Sequence, residues 1–139
     1  MTKKIFLIFF FFLNSSQLYG QVSYFDNGEK LFKNKKYLES KFMFEKDIVY
    51  NPKNEWSYLY LAKIFNQRSK IDLEENNLNT VILLNPKNEE AIYLLTLLSI
   101  KNSNFIKTRE LIDSLTLVCK KLCSKKKELD RKLENSLKQ

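Results

Sequence analysis

The pentapeptide NPKNE occurs twice in this 139-residue chain, at residues 51–55 and again at residues 85–89. The shift of 34 between the two copies also aligns apolar positions elsewhere, among them Tyr24, Tyr58 and Ile92. Self-similarity at a fixed interval of this size is typical of an array of equal structural units. The chain is therefore expected to stack one unit several times rather than to fold around one irregular core.

Each unit carries apolar residues in steps of three and four, the spacing that places side chains on one stripe of a helix. The first unit has two such series: Tyr24, Leu31, Phe32 and Tyr37, Phe44, Ile48. A short polar stretch at residues 34–36 separates them. Only 2 Gly and 2 Pro occur, which disfavours a sheet with many turns. The pattern predicts an all-α protein built from helical hairpins.

The repeated pentapeptide has a physical role as a helix stop followed by a helix start. Proline cannot continue a helix and disfavours helical angles in the residue before it, so the helices must end at Tyr50 and Leu84. Asn54 and Asn88 are good N-caps for the next helix. The glutamate after each asparagine suits the positive end of the helix dipole.

A helix–turn–helix unit of this length that closes with proline resembles the tetratricopeptide repeat. Gly28 stands at the family's site of close helix contact, Phe44 at its large core site and Pro52 at the closing position. The matching residues of the second unit are Tyr58, Leu61, Ala62, Phe65, Leu78 and Pro86. The resemblance implies an α-solenoid of repeats at 21–54 and 55–88 and a degenerate repeat at 89–122. A C-terminal capping helix would follow at 123–139.

Several positions depart from the family pattern. Asn27 replaces a leucine, and small alanine-like sites hold Ser40, Asp47, Glu74 and Thr108. Glu74 conflicts most strongly with the pattern, because a buried carboxylate without a partner is costly. We expect either that its helix shifts outward at this point or that a lysine pairs with it.

The resemblance also implies a concave groove lined by the first helix of each repeat. The candidate groove residues are Phe25, Phe32, Trp56, Leu59, Lys63, Asn66, Tyr93 and Leu97. Aromatic residues ringed by charge are typical of protein-recognition surfaces. Alternatively, Phe25, Phe32 and Trp56 pack against neighbouring repeats.

Family members that clamp the acidic tails of heat-shock chaperones use Lys, Asn and Arg on these first helices. Here Phe25, Glu29, Tyr93 and Leu97 occupy matching places. An apolar peptide or helix is therefore a better fit to the predicted groove than an acidic chain terminus.

The N-terminus has the three parts of a secretory signal peptide. Lys3 and Lys4 precede an apolar run at residues 5–13, and a polar stretch follows at 14–17. The run is too short for a spanning helix, which needs roughly 20 residues. We expect residues 1–20 to be removed and the protein to be exported to the periplasm or the extracellular space. The alternative is an uncleaved signal that anchors the chain to the cytoplasmic membrane.

The last segment predicts a charged helix with a narrow apolar stripe at Leu129, Leu133 and Leu137. This helix would cap the array, or would serve as a short coiled-coil arm. From Lys120 onward there are eight basic and three acidic residues, so much of the formal net charge of +8 is local. Weak contact with a membrane surface is compatible with this charge. Nucleic acid is not an expected partner.

Cys119 and Cys123 lie four residues apart, where a disulfide is allowed if the helix breaks nearby. Histidine is absent, two cysteines cannot build a four-thiolate site, and no phosphate-binding loop or nucleophile motif is present. No cofactor and no catalytic or metal site is predicted, and the protein is not expected to be an enzyme. The leading hypothesis is an exported protein-interaction module that binds an unidentified protein or peptide. Alternatives are a self-associating envelope component and the sensory input domain of a longer protein.

Overall fold

Among residues 23–138, six of the seven helices in the computed structural model pair into three hairpins, and the seventh packs on the last of them. The structure describes residues 23–138. The helices are α1 Tyr24–Lys33, α2 Tyr37–Tyr50, α3 Glu55–Gln67, α4 Ile71–Leu84, α5 Glu89–Lys101, α6 Phe105–Val118 and α7 Lys125–Leu137. Within the described range there is no strand, so the all-α prediction is confirmed. The predicted signal peptide at 1–20 lies outside the described residues.

The pentapeptide has the stop and start functions that its sequence predicts. Helices α2 and α4 end at Tyr50 and Leu84, immediately before each Asn-Pro pair. The side-chain oxygen of Asn54 accepts a hydrogen bond from the backbone N–H of Trp56 at 3.2 Å. That of Asn88 accepts one from Ala91 at 3.0 Å. Both asparagines therefore cap the first helix of the repeat that follows them.

The turn inside each hairpin repeats one backbone conformation. Lys35, Ser69 and Ser103 have φ angles of 60°, 53° and 56° and occupy equivalent positions of the three repeats. A side-chain-bearing residue in this left-handed region is strained, because its Cβ approaches the following carbonyl. The three hairpins thus share their internal turn as well as their helices.

Three apolar clusters follow one another along the chain. The first is rich in aromatic rings, with Phe44 and Phe65 at its centre. The second is aliphatic and lies between α3, α4 and α5, with Leu59, Leu78 and Leu95 as members. The third joins α5 and α6 to α7 through Ile92, Ile112, Leu115, Leu129 and Leu133. Each helical hairpin therefore buries one face against the next, as expected of a repeat array.

Gly28 allows α1 and α2 to approach closely. A Cβ atom built on Gly28 would lie 2.8 to 3.0 Å from three atoms of the Phe44 ring, which is fully buried. The hydroxyl of Ser40 donates a hydrogen bond to the Gly28 carbonyl at 2.8 Å. Ser40 therefore uses the small-residue site for a polar contact between the same two helices.

A carboxylate holds each of the three loops that close a repeat. In the first loop the buried Asp47 accepts hydrogen bonds from side chains of Asn51, Asn54 and Ser57 at 2.9, 2.7 and 2.6 Å. This contact accounts for an acidic residue at an alanine-like site, because three donors compensate its burial.

The second and third loops are held by the glutamate that opens their own repeat. Glu55 accepts hydrogen bonds from the side-chain amides of Asn85 and Asn88 at 2.9 and 3.1 Å. Glu89 accepts from the backbone N–H groups of Lys121 and Leu122 at 2.9 and 2.7 Å. These backbone donors, Leu122 above all, lower the pKa of Glu89. The glutamate of the pentapeptide thus does more than interact with the helix dipole.

Glu74 is accommodated in a way that neither expectation described. Its side chain is buried, so α4 does not shift outward at this position. Its hydrogen-bond partner is an amide: the Nδ2 atom of Asn66 donates to Glu74 Oε1 at 2.9 Å. Burial raises the pKa of Glu74, and the Asn66 bond and the charge of Lys101 partly oppose that rise.

Helix α7 covers the end of the third repeat. Leu129 and Leu133 are buried in the last cluster, whereas Leu137 is about half exposed. Most of the leucine stripe therefore faces the domain, as a capping helix requires. Ser124 is at the N-cap position, but its side chain makes no capping hydrogen bond.

The loop between α6 and α7 carries a disulfide. Helix α6 ends at Val118, so the two cysteines are not on one continuous helix. Cys119 and Cys123 are bonded, with their Cα atoms 5.2 Å apart. No helix among residues 23–138 is long and apolar enough to cross a membrane.

Candidate functional site

A cleft lies at the first turns of α3 and α5, beside the loop that follows α6. Its volume is about 480 Å³. The lining residues are Glu55, Trp56, Asn85, Lys87, Asn88, Glu89, Glu90, Tyr93, Leu94, Lys121 and Leu122. Trp56 and Tyr93, two of the sequence-predicted groove residues, therefore share one cavity. The chain's only tryptophan is 49% exposed there, which leaves much of the indole accessible.

The two predicted groove phenylalanines take part in an aromatic cluster between the first two repeats. Phe25 and Phe32 are half-buried and lie 6.0 and 5.0 Å from the ring of Tyr60, measured between centroids. Tyr60 in turn stacks on the buried ring of Phe44 at 4.8 Å. These contacts agree with the alternative interpretation, in which Phe25 and Phe32 pack against the neighbouring repeat.

Tyr60 was not among the predicted groove residues. It follows Leu59 directly, and helical spacing alone does not show that it reaches back to the first repeat. Its hydroxyl donates a hydrogen bond to Glu29 at 2.8 Å. Burial, and then the hydrogen bond to Glu29, raise the pKa of Tyr60 to about 12.

Leu59 requires a correction. Sequence reasoning assigned it to the groove, but its side chain is fully buried among Ala62, Leu78 and Leu95. Helix α3 has neighbours on both sides, α2 and α4, and also faces α5 through this cluster. Its second apolar stripe is therefore partly core, and the placement of Leu59 on the groove surface is wrong.

The two predicted polar groove residues make structural contacts, Lys63 between two repeats and Asn66 within the second. Lys63 on α3 forms a salt bridge of 2.7 Å with Glu90 on α5, and its ammonium lies 5.0 Å from the Tyr60 ring centroid. Asn66 is exposed, but its amide donates to Glu74. Because Lys63 is already paired, its positive charge is largely compensated.

Helix α7 occupies part of the surface that α5 presents. The hydroxyl of Tyr93 donates to Glu128 at 3.2 Å, and Lys125 lies 5.7 Å from the Tyr93 ring centroid. Burial, and then the charge of Glu128, raise the pKa of Tyr93. Leu97 is half-buried and packs on the cluster that includes Leu129. The most accessible anchor on the predicted groove is therefore Trp56.

Ion pairs compensate charge on α1 and on α7. Glu29 pairs with Lys33 at 2.8 Å, and this contact, with that of Tyr60, lowers the pKa of Glu29. Lys125 pairs with Glu128 at 2.8 Å beside Tyr93. Because these charges are paired, apolar and aromatic side chains are the main groups that the site offers to a ligand. Among residues 23–138 no group of three or more acidic or cysteine side chains is arranged to hold a metal ion.

The fold is similar to that of solved tetratricopeptide repeat domains. The first TPR domain of Spaghetti (RPAP3), bound to the HSP90 peptide SRMEEVD, has a TM-score of 0.73 and 19% identity, over 84% of this chain and 91% of that one. The second TPR domain of human RPAP3, in complex with an HSP70 peptide, has a TM-score of 0.68 and 17% identity, over 85% and 95%.

A bacterial structure shows the same similarity. The Yersinia enterocolitica type III secretion chaperone SycD, in complex with a peptide of the translocator YopD, has a TM-score of 0.66 and 11% identity, over 83% of this chain and 87% of that one. The sequence matches no family model and no curated protein. The chain therefore has the tetratricopeptide repeat fold, as its sequence predicts, and these identities show the fold alone.

Proposed function

We propose that this protein is a non-enzymatic interaction module that binds a peptide or helical segment of a partner protein along its first helices. The observation that carries the proposal is the cleft of about 480 Å³ in which Trp56 is half exposed beside Tyr93 and Leu94. Tryptophan is one of the three residue types, with tyrosine and arginine, that are enriched among the side chains that dominate binding energy. Structures of the same fold contain bound peptides, which supports the same class of ligand.

The proposed ligand has an apolar or aromatic anchor residue rather than an acidic C-terminus. Lys63 is paired with Glu90, and Glu29 and Tyr93 stand where a carboxylate clamp would need cations or amides. Leu122 and Leu94 supply apolar surface near Trp56. We expect the anchor to pack on the indole, and the remaining ligand residues to follow the exposed side chains of α3.

The test uses peptides selected from a random library on the full chain. A selected peptide should bind the Trp56→Ala variant at least about 30-fold more weakly, the loss typical of a hot-spot residue. The matched control is Phe42→Ala, because Phe42 is an aromatic residue of similar exposure (53%) on α2. Its affinity should stay within a factor of two or so of wild type, since single surface contacts away from a hot spot contribute little.

Trp56 also provides a direct readout. Because the chain has one tryptophan, a peptide bound in the cleft should shift the indole emission. A peptide ending in EEVD serves as the comparison and should bind weakly. If selected peptides bind wild type and Trp56→Ala equally and leave the emission unchanged, the cleft is not the binding site. If none but acidic C-termini are selected, the proposed ligand class is wrong.

We also propose that the protein is exported and works in the periplasm or outside the cell. The support is the lysine pair, the apolar run at 5–13 and the polar stretch that follows, together with a cysteine pair bonded in the structure. Disulfides persist in oxidising compartments. Fractionation of the source cells and N-terminal sequencing should find a chain that starts near Gln21 outside the cytoplasm. A full-length chain in the cytosol would contradict export, and a full-length chain in the membrane would favour the uncleaved anchor.

A further inference from the structure

Three aliphatic side chains protrude into solvent at the same position of each repeat. Val49, Leu83 and Leu117 are 75%, 81% and 86% exposed, and the repeat interval separates each from the next. Each is the second-last residue of the second helix of its hairpin. Because equivalent positions of stacked repeats follow one edge of the array, the three form a row, called here the corner ridge.

A lysine follows each ridge residue four positions later. These corner lysines are Lys53, Lys87 and Lys121, and all three are exposed. The stretches that contain ridge and lysines, 46–54, 80–88 and 114–122, hold five lysines and one acidic residue. That acidic residue is Asp47, which is buried and bonded to three side chains of its loop. The exposed charge of the three corners is therefore positive.

The nearest glutamates do not reverse this charge. Glu55 is directed to the amides of Asn85 and Asn88, and Glu89 to backbone N–H groups of the following loop. The carboxylates that clamp the loops thus face the loop interior. One helical turn before the ridge, Glu45 is paired with Lys41 and Asp113 is exposed. The edge of the array therefore combines protruding aliphatic side chains with five lysines that outnumber the acidic residues beside them.

We infer that the corner ridge and its lysines dock the protein onto the surface of an anionic lipid membrane. Lysine is depleted in protein–protein interfaces, where anchors are aromatic and fit into pockets. A lipid surface instead accepts isolated aliphatic side chains at the headgroup boundary and attracts the lysines beside them. The spacing of one aliphatic residue and one lysine per repeat lets all three corners engage one extended surface together. Lys87 and Lys121 also border the Trp56 cleft, but the three ridge residues and Lys53 do not, so the inference goes beyond peptide binding.

The contribution of the three lysines to membrane binding can be given an expected magnitude. A lysine near an anionic leaflet strengthens partition about five-fold, so removal of three should weaken it about 100-fold. This part should also fade as salt shortens the Debye length from roughly 30 Å at 0.01 M to roughly 3 Å at 1 M. The aliphatic part should persist at high salt.

The experiment is lysine footprinting of the full chain. The protein is mixed with vesicles of phosphatidylglycerol and phosphatidylcholine, or of phosphatidylcholine alone, and acetylated under single-hit conditions before mass spectrometry. We expect the corner lysines to be protected with the anionic vesicles and not with the neutral ones. Lys53 is decisive, because Lys87 and Lys121 also border the Trp56 cleft whereas Lys53 does not. Because protection is measured at each lysine, contact through the corners can be distinguished from binding through the apolar N-terminal run.

Two matched variants complete the test. The triple variant Val49→Ser, Leu83→Ser, Leu117→Ser should weaken protection of the corner lysines at low salt and remove it at high salt, where only the aliphatic contacts would hold the protein on the membrane. The control is Leu38→Ser with Ile106→Ser, because both residues are similarly exposed but lie at the opposite ends of α2 and α6. The control should retain protection, and Trp56→Ala should retain it as well, whether or not the peptide proposal holds. Since all these side chains are exposed, circular dichroism should show unchanged helix content.

Three outcomes would overturn the inference. Corner lysines that react as fast on anionic vesicles as in buffer would rule it out. Protection confined to α7, at Lys127 and Lys132, would assign any membrane contact to the C-terminal helix. Protection of the corners without vesicles, rising with protein concentration, would show that a second copy of this chain covers the ridge.

Discussion

Glu55 accepts a hydrogen bond from the side-chain amide of Asn88 at 3.1 Å, across 33 residues of sequence. Glu55 opens the second repeat, and Asn88 closes that repeat while capping the first helix of the third. One carboxylate therefore holds the loop on which the orientation of the third hairpin depends. The same glutamate accepts from Asn85, so a single side chain fixes both asparagines of the second pentapeptide.

Replacement of Glu55 should therefore weaken the whole array. Glu55→Ala leaves two amides without their acceptor and should lower the free energy of unfolding by about 2 kcal/mol, a usual value for hydrogen bonds to a charged group. Urea unfolding at pH 7 measures this. Glu55→Gln keeps one oxygen acceptor and should lose less, and the exposed Glu39→Ala should change stability by less than about 0.5 kcal/mol. Equal losses in the alanine and glutamine variants would show that charge, not hydrogen-bond acceptance, stabilises the loop.

Gly28→Ala should destabilise the protein although alanine favours helices. The added methyl group would lie within 3.0 Å of the buried Phe44 ring, and overpacking of this kind costs about 1–3 kcal/mol. That cost exceeds the helix-propensity gain of about 1 kcal/mol. Thermal unfolding should show a lower Tm.

The neighbouring Asn27→Ala is the control for propensity and should raise the Tm slightly, because Asn27 is exposed on the same helix. Phe44→Leu in the Gly28→Ala background should recover part of the lost stability. A Gly28→Ala variant as stable as wild type would mean that α1 and α2 can separate without loss.

Ser69→Gly should stabilise the second hairpin. The left-handed φ of 53° costs a non-glycine residue about 1–2 kcal/mol, and glycine would remove this strain. Glycine also loses more chain entropy on folding, which costs about 0.5–1 kcal/mol. The expected net gain is up to about 1.5 kcal/mol in chemical unfolding. Ser69→Ala, which keeps a Cβ atom, should give no gain. A loss of stability in the glycine variant would indicate that the serine side chain contributes to the turn.

Glu74→Gln should be more stable than wild type at pH 7, and the difference should shrink at acidic pH. Burial raises the pKa of Glu74 in the folded state, so the folded protein binds its proton more tightly than the unfolded chain. Stability from this group is thus present below its ordinary pKa of 4.5 and is lost as pH rises through the higher folded value. The neutral amide avoids that loss. Parallel melts at pH 4 and pH 7 test this, with the exposed Glu110→Gln as a control that should show no such difference.

Local features of the fold could be predicted from the sequence, because they depend on neighbouring residues. Proline and asparagine set the helix ends at Tyr50 and Leu84, and the recurring interval between the pentapeptides sets the repeat. Gly28 is recognisable for the same reason, since its family position implies close contact with the second helix.

The burial of individual side chains could not be predicted in the same way. Each first helix carries two apolar stripes, and helical spacing does not tell which of them a neighbouring repeat covers. Leu59 lies in the core for this reason, and Tyr60 reaches Phe44 in another repeat. The roles of Glu55 and Glu89 were also missed, because each has partners in the next loop, far away in the sequence.

The uneven placement of aromatic rings gives the array an optical label at one end. Phe25, Phe32, Phe44 and Tyr60 crowd the first cluster, whereas the second and third clusters are mainly aliphatic. Near-ultraviolet circular dichroism should therefore report chiefly on the first cluster, which joins the first two hairpins, and on Trp56 at the start of α3, while far-ultraviolet signals report on all helices. If the hairpins unfold in sequence, the two spectra will lose intensity at different temperatures, and their order will reveal which end opens first.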